Sequence, residues 1–165
     1  MGLRKGFTLV EALVVLALLA SMLLIFLPKL LWMLQTYYVK SAASQMAIHL
    51  RFARNESVTR KMDYRIVINN DQASLTPNTY LLEYDPQDDA TFRPVPHVST
   101  TLPPGVEILN SAVFSSGVAT VWFDSRGGAK SLVGSPPFSI DIRSVNGEIY
   151  RVQIQLTGAV QVTKV

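Results

Sequence analysis

A single carboxylate, Glu11, interrupts an otherwise apolar run near the start of the chain. The run covers residues 7–27, which is 21 residues, and Arg4 and Lys5 precede it. A charged side chain at the centre of a bilayer costs about 2.5–3.5 kcal/mol on insertion scales, and less towards the edge. A carboxylate kept in such a place needs a partner, either a cationic group or the polar headgroups of the membrane interface. Glu11 is therefore the first candidate for a functional residue.

The two histidines have no partners in the sequence that would make them catalytic. His49 lies in a basic segment and His97 in a Pro-rich one, and no Ser-His-Asp spacing, phosphate-binding glycine loop or metal-ligand spacing accompanies them. Cysteine is absent, which excludes a thiolate nucleophile, a disulfide and a zinc–cysteine site. We expect that the chain is not an enzyme and needs no cofactor.

Acidic residues cluster at Asp85, Asp88 and Asp89. Such a cluster could bind a hard cation such as calcium, which prefers several oxygen ligands. The characteristic twelve-residue calcium loop is missing, so a solvated acidic loop is the favoured interpretation.

Residues 7–34 are predicted to form a transmembrane helix segment, because 21 apolar residues are about enough to cross a hydrocarbon core of roughly 30 Å. Arg4 and Lys5 predict a cytoplasmic N-terminus and an exported C-terminal side. An ordinary secretory signal peptide is the alternative. The long apolar stretch and the lack of a convincing A-x-A cleavage site argue against it.

The helix is predicted to continue over residues 35–61 as an amphipathic stem. Apolar or small side chains recur there at spacings of three and four, which lines one helical face. They are Val39, Ala43, Met46, Leu50, Ala53 and Ser57. Basic residues lie mostly off this stripe and are expected to be solvated or to meet another subunit. Pro28 lies inside the helical pattern, removes one backbone hydrogen bond, and should kink or locally open the helix.

Residues 62–165 are predicted to form a β-rich globular head. Strands are expected at 64–68, 80–84, 106–109, 118–123, 138–143, 150–156 and 159–162. Residues 85–104, rich in Pro, Asp and Thr, are expected to form a long surface loop, and Asn146-Gly147 a tight hairpin turn. The predicted fold class is α+β, with the second half of a long N-terminal helix packed against an antiparallel sheet.

Charge is distributed unevenly between these segments. Residues 29–65 carry seven basic and two acidic side chains, whereas residues 66–165 carry six basic and nine acidic ones. The stem is therefore basic and the head mildly acidic.

The hexapeptide Gly6-Phe7-Thr8-Leu9-Val10-Glu11, with its basic leader and continuous apolar helix, resembles the prepilin processing motif of type IV pilins and type II secretion pseudopilins. Pro28 falls where that family often has a helix-breaking proline. Two stretches of the head and the C-terminal strand pair resemble the GspH/FimT group of minor subunits. The stretches are Leu102-Pro103-Pro104-Gly105-Val106 and Val121-Trp122-Phe123-Asp124-Ser125-Arg126-Gly127.

The resemblance implies that residues 1–6 are a leader, which a prepilin peptidase removes by cutting between Gly6 and Phe7. The new amino group of Phe7 would be methylated, and Glu11 would pair with the N-terminus of a neighbouring subunit. The implied function is that of a minor pilin or pseudopilin in a type IV filament, supporting protein secretion or pilus biogenesis. Other pilin subunits, the peptidase and an inner-membrane assembly platform are the implied partners. The implied location is the bacterial inner membrane as a single-pass protein, and then the filament.

A second interpretation is a DNA-binding minor pilin displayed on such a filament. Some FimT-type subunits take part in DNA uptake through basic side chains near their C-terminal strand. The matching candidates here are Arg143, Arg151 and Lys164, and the basic stem offers another region. Binding of this kind would weaken steeply as salt rises, since counterions are released from the phosphates.

Overall fold

The computed structural model describes residues 8–71, 77–87, 89–109, 114–131 and 134–165. One helix, α1 (Leu9–Arg60), precedes a series of short strands in two antiparallel sheets. The strands are β1 (Asp63–Asn69), β2 (Thr79–Asp85), β3 (Arg93–Thr101), β4 (Val106–Leu109), β5 (Phe114–Ser115), β6 (Val118–Phe123), β7 (Ala129–Ser131), β8 (Phe138–Ser144), β9 (Ile149–Ile154) and β10 (Val160–Lys164). The predicted α+β class is confirmed.

The chain divides into two compact units, Met1–Leu34 and Gln35–Val165, and α1 runs from the first into the second. The first part of α1 is long and apolar enough to cross a membrane, judged by its length and composition alone. Its large apolar side chains are exposed along the described part of this unit. The helix continues through Pro28 without a break in its assignment, and the kink or local opening predicted there stays a prediction.

The second part of α1 buries the face that the spacing predicts. All six residues of the predicted stripe are buried, and Ala42 and Ala47 join them. Burying a large side chain such as Leu50 or Met46 contributes about 1.5–3 kcal/mol. The alanines between them have no side chain beyond Cβ, so the sheets can approach the helix closely.

The first sheet has the strand order β3-β2-β1-β6-β5, and β7 also pairs with β6. Its centre is β1, whose alternate residues Tyr64, Ile66 and Ile68 are buried while their neighbours are half-buried. This alternation is the pattern of a strand with one face on the core.

The second sheet has the order β10-β9-β8-β4, and β8, β9 and β10 form the predicted antiparallel meander. Phe138, Ile140 and Ile142 of β8 point into the core. The sheets meet where Ala129 of β7 donates its N–H to the carbonyl of Leu156, 3.1 Å away. The buried residues of both sheets and of α1 form one hydrophobic cluster.

The expectation of a surface loop over 85–104 is wrong, because β3 occupies much of it. β3 contains Pro94 and Pro96, which cannot donate backbone hydrogen bonds. It is an edge strand that pairs with β2 on one side, where such residues are tolerated. The short strands β5 and β7 were also not predicted, and β9 ends at Ile154 rather than 156.

Three side chains of α1 tie it to both sheets. Nη2 of Arg51 donates to the carbonyl of Val160 at 2.9 Å, and Nε of Arg54 donates to the carbonyl of Gly127 at 3.3 Å. Nδ1 of His49 lies 2.8 Å from the hydroxyl of Tyr80. The stem is therefore fixed by polar contacts as well as by its apolar face.

Candidate functional sites

The beginning of α1 places Glu11 in its first turn. The backbone N–H of Glu11 donates to Oγ1 of Thr8 at 3.2 Å, and the N–H of Ala12 donates to the carbonyl of Thr8 at 3.1 Å. Thr8 is thus the N-cap, and Thr8-x-x-Glu11 has the spacing of a capping box. A carboxylate in this position is also favoured by the helix dipole. Gly6 and Phe7, the predicted cleavage residues, lie outside the described residues.

The Thr8-x-x-Glu11 spacing is visible in the sequence. A capping box would give Glu11 a local role in starting the helix, which differs from pairing with a cation in another subunit. The two roles are compatible, because the side chain of Glu11 is exposed. They can be separated by substitution, since glutamine also completes a capping box but carries no charge.

The three candidates for nucleic-acid contact all have carboxylate partners. Nε of Arg143 donates to Glu107 at 2.7 Å, and Arg151 binds Asp141 through two hydrogen bonds of 2.8 Å. Nζ of Lys164 lies 2.9 Å from Glu148, and this hydrogen bond raises the pKa of the lysine.

All three cations lie on strands of the second sheet. Each cation is neutralised by its neighbour, so they do not form a positive patch, and the DNA-binding alternative is not supported.

The acidic cluster organises a loop. Asp85 is buried and accepts backbone hydrogen bonds from Gln87 at 3.1 Å and Ala90 at 2.8 Å. Asp89 accepts the N–H of Thr91 at 2.9 Å, which lowers its pKa, while Asp88 lies outside the described residues. Within the described ranges, no group of three or more His, Cys, Asp or Glu side chains is placed to hold a metal ion.

His49 contacts the sheet, and His97 lies in β3. Burial lowers the pKa of His49 and raises the pKa of Tyr80, so at neutral pH the pair consists of an uncharged imidazole beside an uncharged phenol. These two groups stabilise the packing of α1 on β2. The hydrogen-bond partner of His49 is thus the hydroxyl of a buried tyrosine.

The lowered pKa of His49 predicts that the protein loses stability in mild acid. In the unfolded chain this histidine has its ordinary pKa of about 6.5. In the folded chain its pKa is lower, so it becomes protonated only in more acidic solution. Below about pH 6.5 the unfolded state binds more protons, so the free energy of unfolding should fall as pH falls. Unfolding measured between pH 7.5 and about 5 should show a weaker pH dependence in His49→Gln than in the wild type.

The matched control is His97→Gln, which removes the other histidine of the chain. A larger effect of His97→Gln than of His49→Gln would assign the acid sensitivity to the other histidine. Equal slopes for the wild type and His49→Gln would contradict the prediction.

The turn between β6 and β7 has a definite architecture. Oδ1 of Asp124 accepts the N–H groups of Arg126 at 3.0 Å and Gly128 at 2.9 Å. Burial acts to raise the pKa of Asp124, but these bonds and Lys130 outweigh it, and the pKa is lowered. Gly127 adopts a positive φ of 80°, and its carbonyl accepts the hydrogen bond from Arg54. The stretch 121–127, which resembles the GspH/FimT group, therefore ends in a turn whose Gly127 carbonyl contacts Arg54 of the stem.

Comparison with known families gives two matches. The family described as type II transport protein GspH matches residues 42–158, and the prokaryotic N-terminal methylation motif matches residues 1–27. The first match spans most of the chain and the whole of the two-sheet region up to Gly158. No curated protein matches the sequence significantly.

Solved structures with the same fold include two from secretion and pilus systems. The minor pseudopilin EpsH from the type 2 secretion system of Vibrio cholerae has a TM-score of 0.57 at 17% identity, over 77% of this chain and 97% of that chain. The type IV minor pilin FimU of Pseudomonas aeruginosa has a TM-score of 0.54 at 15% identity, over 78% of this chain and 90% of that chain. At these identities the likeness establishes a shared fold.

Proposed function

The chain belongs to the family of the type II transport protein GspH and is a minor pilin-like subunit, and from this membership we propose that it is cleaved, methylated and assembled into a filament through its N-terminal helix. The observation that carries this proposal is the N-terminal methylation motif, which matches residues 1–27 and so includes the beginning of a helix long and apolar enough to span a membrane. The filament supports protein secretion or pilus biogenesis.

Processing and assembly use Gly6, Phe7 and Glu11 in turn. A prepilin peptidase cuts between Gly6 and Phe7, which removes Arg4 and Lys5 and leaves a cationic amino group beside the apolar helix. Glu11, one helical turn further on, provides the carboxylate for the amino group of a neighbouring subunit. Opposite charges attract strongly where the dielectric constant is low, but each must be desolvated, so an unpaired member is unfavourable. This pairing sets the register of the subunit during assembly.

Before assembly the protein is a single-pass protein of the inner membrane. Arg4 and Lys5 keep the N-terminus in the cytoplasm, and the two-sheet head is exported, into the periplasm where the cell has two membranes. An inner-membrane assembly platform then transfers the subunit into the filament. Pro28 lies in the apolar part of the helix, which would move from the membrane into the filament. There, neighbouring helices can donate a hydrogen bond to the carbonyl that the proline leaves free.

The role of the chain in the filament is structural. His49 is engaged with Tyr80, and the aspartates of the 85–89 segment that the structure describes hold their own backbone. We propose no catalytic step and no cofactor. Deleting the gene and scoring both protein secretion and piliation tests which machine contains the subunit, since loss of only one phenotype identifies it.

Gly6→Val is expected to block cleavage, because a branched side chain would stand beside the bond that the peptidase attacks. The variant should stay in the membrane with residues 1–6 attached and without the methyl group. Mass spectrometry of the protein purified at successive times measures both changes at once, and the rate of cleavage should fall by about tenfold or more, which is about 1.4 kcal/mol in transition-state binding.

Gly2→Val is the matched control, since it makes the same substitution inside the leader but away from the cut. It should be cleaved like the wild type. Normal cleavage of Gly6→Val would contradict the proposed processing site.

A further inference from the structure

A pocket of about 280 Å³ lies between α1 and the beginning of β10. Its lining consists of Arg51, Arg54, Asn55, Gly158, Ala159 and Val160. The helix provides the two guanidinium groups and an amide, and the opposite wall is a glycine turn with small side chains. The helical wall of the pocket therefore carries hydrogen-bond donors.

The two arginines have no acidic partner among the residues that the structure describes. Each makes one hydrogen bond to a backbone carbonyl, Arg51 to Val160 and Arg54 to Gly127. A guanidinium group has five N–H donors, so most donors of each remain available. This distinguishes the pair from Arg143, Arg151 and Lys164, which are all neutralised by carboxylates.

The guanidinium of Arg54 is held in place by the turn opposite. Gly158 has a φ of +74°, and a Cβ atom there would lie only 2.6 Å from Nε of Arg54 and 2.3 Å from the carbonyl oxygen of Gly127. The missing side chain lets the arginine lie against the turn. The hydrogen bonds to carbonyls restrain both side chains, and the turn restrains Arg54 further, which lowers the entropy lost on binding.

The surface beside the pocket is typical of a protein interface. Ile48 is 58% exposed and Phe52 is 41% exposed on the same stretch of α1, within one turn of Arg51 and Asn55. Aromatic residues and arginine are enriched in protein–protein interfaces. A nucleic acid, by contrast, needs cations repeated along its phosphates, and the cations of the second sheet are neutralised.

We propose that this pocket receives the side chain of an Asp or Glu residue from an adjacent subunit of the filament. The inference rests on the proposed function, because it supposes that such a subunit is present. A carboxylate between two guanidinium groups can accept several charge-assisted hydrogen bonds, which fixes orientation as well as affinity. The contact would orient the head of the subunit, whereas Glu11 acts at the other end of the helix.

The first test is the double variant Arg51→Gln/Arg54→Gln in the full-length protein expressed in its host. Glutamine keeps an N–H donor for the carbonyls of Val160 and Gly127 but removes both charges. The amount in sheared filaments, relative to the amount in the membrane, should fall by about tenfold. Thermal unfolding close to that of the wild type would show that the loss isn't due to misfolding. Arg143→Gln/Arg151→Gln changes the net charge equally and should assemble normally.

The second test identifies the partner. A photo-reactive amino acid at Asn55 should cross-link to a peptide of another filament subunit that contains Asp or Glu. Replacing that acidic residue by arginine in an Arg51→Glu background should restore assembly that either change alone reduces.

Two results would overturn the proposal directly: normal assembly of Arg51→Gln/Arg54→Gln, or a cross-linked peptide without a carboxylate. A third would be salt-sensitive binding of the wild type to double-stranded DNA that the double variant loses while its assembly is unchanged. If Glu11→Leu also assembles normally, the proposed function itself fails. If Arg51→Gln/Arg54→Gln assembles normally but Glu11→Leu does not, the proposed function stands and the pocket proposal is wrong.

Discussion

Glu11→Leu should insert into the membrane and be cleaved after Gly6, but its incorporation into filaments should fall by about tenfold or more. Leucine is more favourable than glutamate in lipid, so insertion should not suffer. The amino group of the neighbouring subunit would lose its partner, and leaving one member of a buried ion pair alone costs about 3–5 kcal/mol. The ratio of filament to membrane protein, measured by immunoblotting of sheared filaments, gives the effect directly.

Glu11→Gln separates the two roles that the structure allows for this residue. Glutamine completes the capping box that Thr8 begins, but it carries no charge. If charge pairing drives assembly, the glutamine variant should fail about as badly as the leucine variant. Val14→Leu, a substitution one turn further along the same helix, should assemble normally. Normal assembly of Glu11→Leu would contradict the proposed role, and rescue by glutamine would assign Glu11 to capping.

Gly158→Ala should destabilise the head by about 3 kcal/mol or more, from two separate causes. The residue has a φ of +74°, a region that costs an L-residue roughly 1–2 kcal/mol. In addition, the new Cβ would lie 2.3 Å from the carbonyl oxygen of Gly127, which belongs to rigid backbone. Urea unfolding of the full chain in mild detergent, followed by circular dichroism, measures the change.

Gly147→Ala is the matched control for this prediction. Gly147 has a φ of +82°, but a Cβ atom there would have no neighbour within 4 Å. Only the conformational cost should therefore apply, roughly 1–2 kcal/mol. Equal destabilisation by the two substitutions would show that the contact with Gly127 and Arg54 contributes nothing.

Features that depend on local periodicity could be predicted from the sequence. The apolar stripe of the stem needed only the spacing of residues such as Val39, Ala43 and Met46, and all are buried. The hairpin turn could be predicted from Asn146-Gly147, because such turns need a residue with positive φ and glycine adopts it easily. Gly147 has a φ of 82°. In both cases the physical cause lies within a few residues of its effect.

The edge strand β3 could not be predicted, because its stability comes from pairing and not from its own residues. Pro94 and Pro96 are compatible with a loop as well as with an edge strand. They are accommodated since β3 pairs on one side only and its register with β2 shifts between Leu81 and Glu83. The sequence shows the prolines but not the position at the edge.

The candidate sites show the same limit. Gly6, Phe7 and Glu11 are neighbours in sequence, so their pattern alone directs attention to them. The pairing of Arg143, Arg151 and Lys164 with carboxylates depends on which strands are adjacent. The pocket at Arg51 and Arg54 is defined partly by backbone carbonyls of distant residues, which have no signature in a sequence.

The hydrogen bonds of Arg51 and Arg54 also determine when the head can become native. Their partners lie 109 and 73 residues further along the chain. Contacts between such distant residues form slowly, because closing long loops costs entropy before any bond forms. We therefore expect the hairpins of β8, β9 and β10 to form first and the helix to dock last. Until β10 has paired with β9, Arg51 lacks the carbonyl of Val160, and the stripe from Val39 to Ser57 is only partly covered.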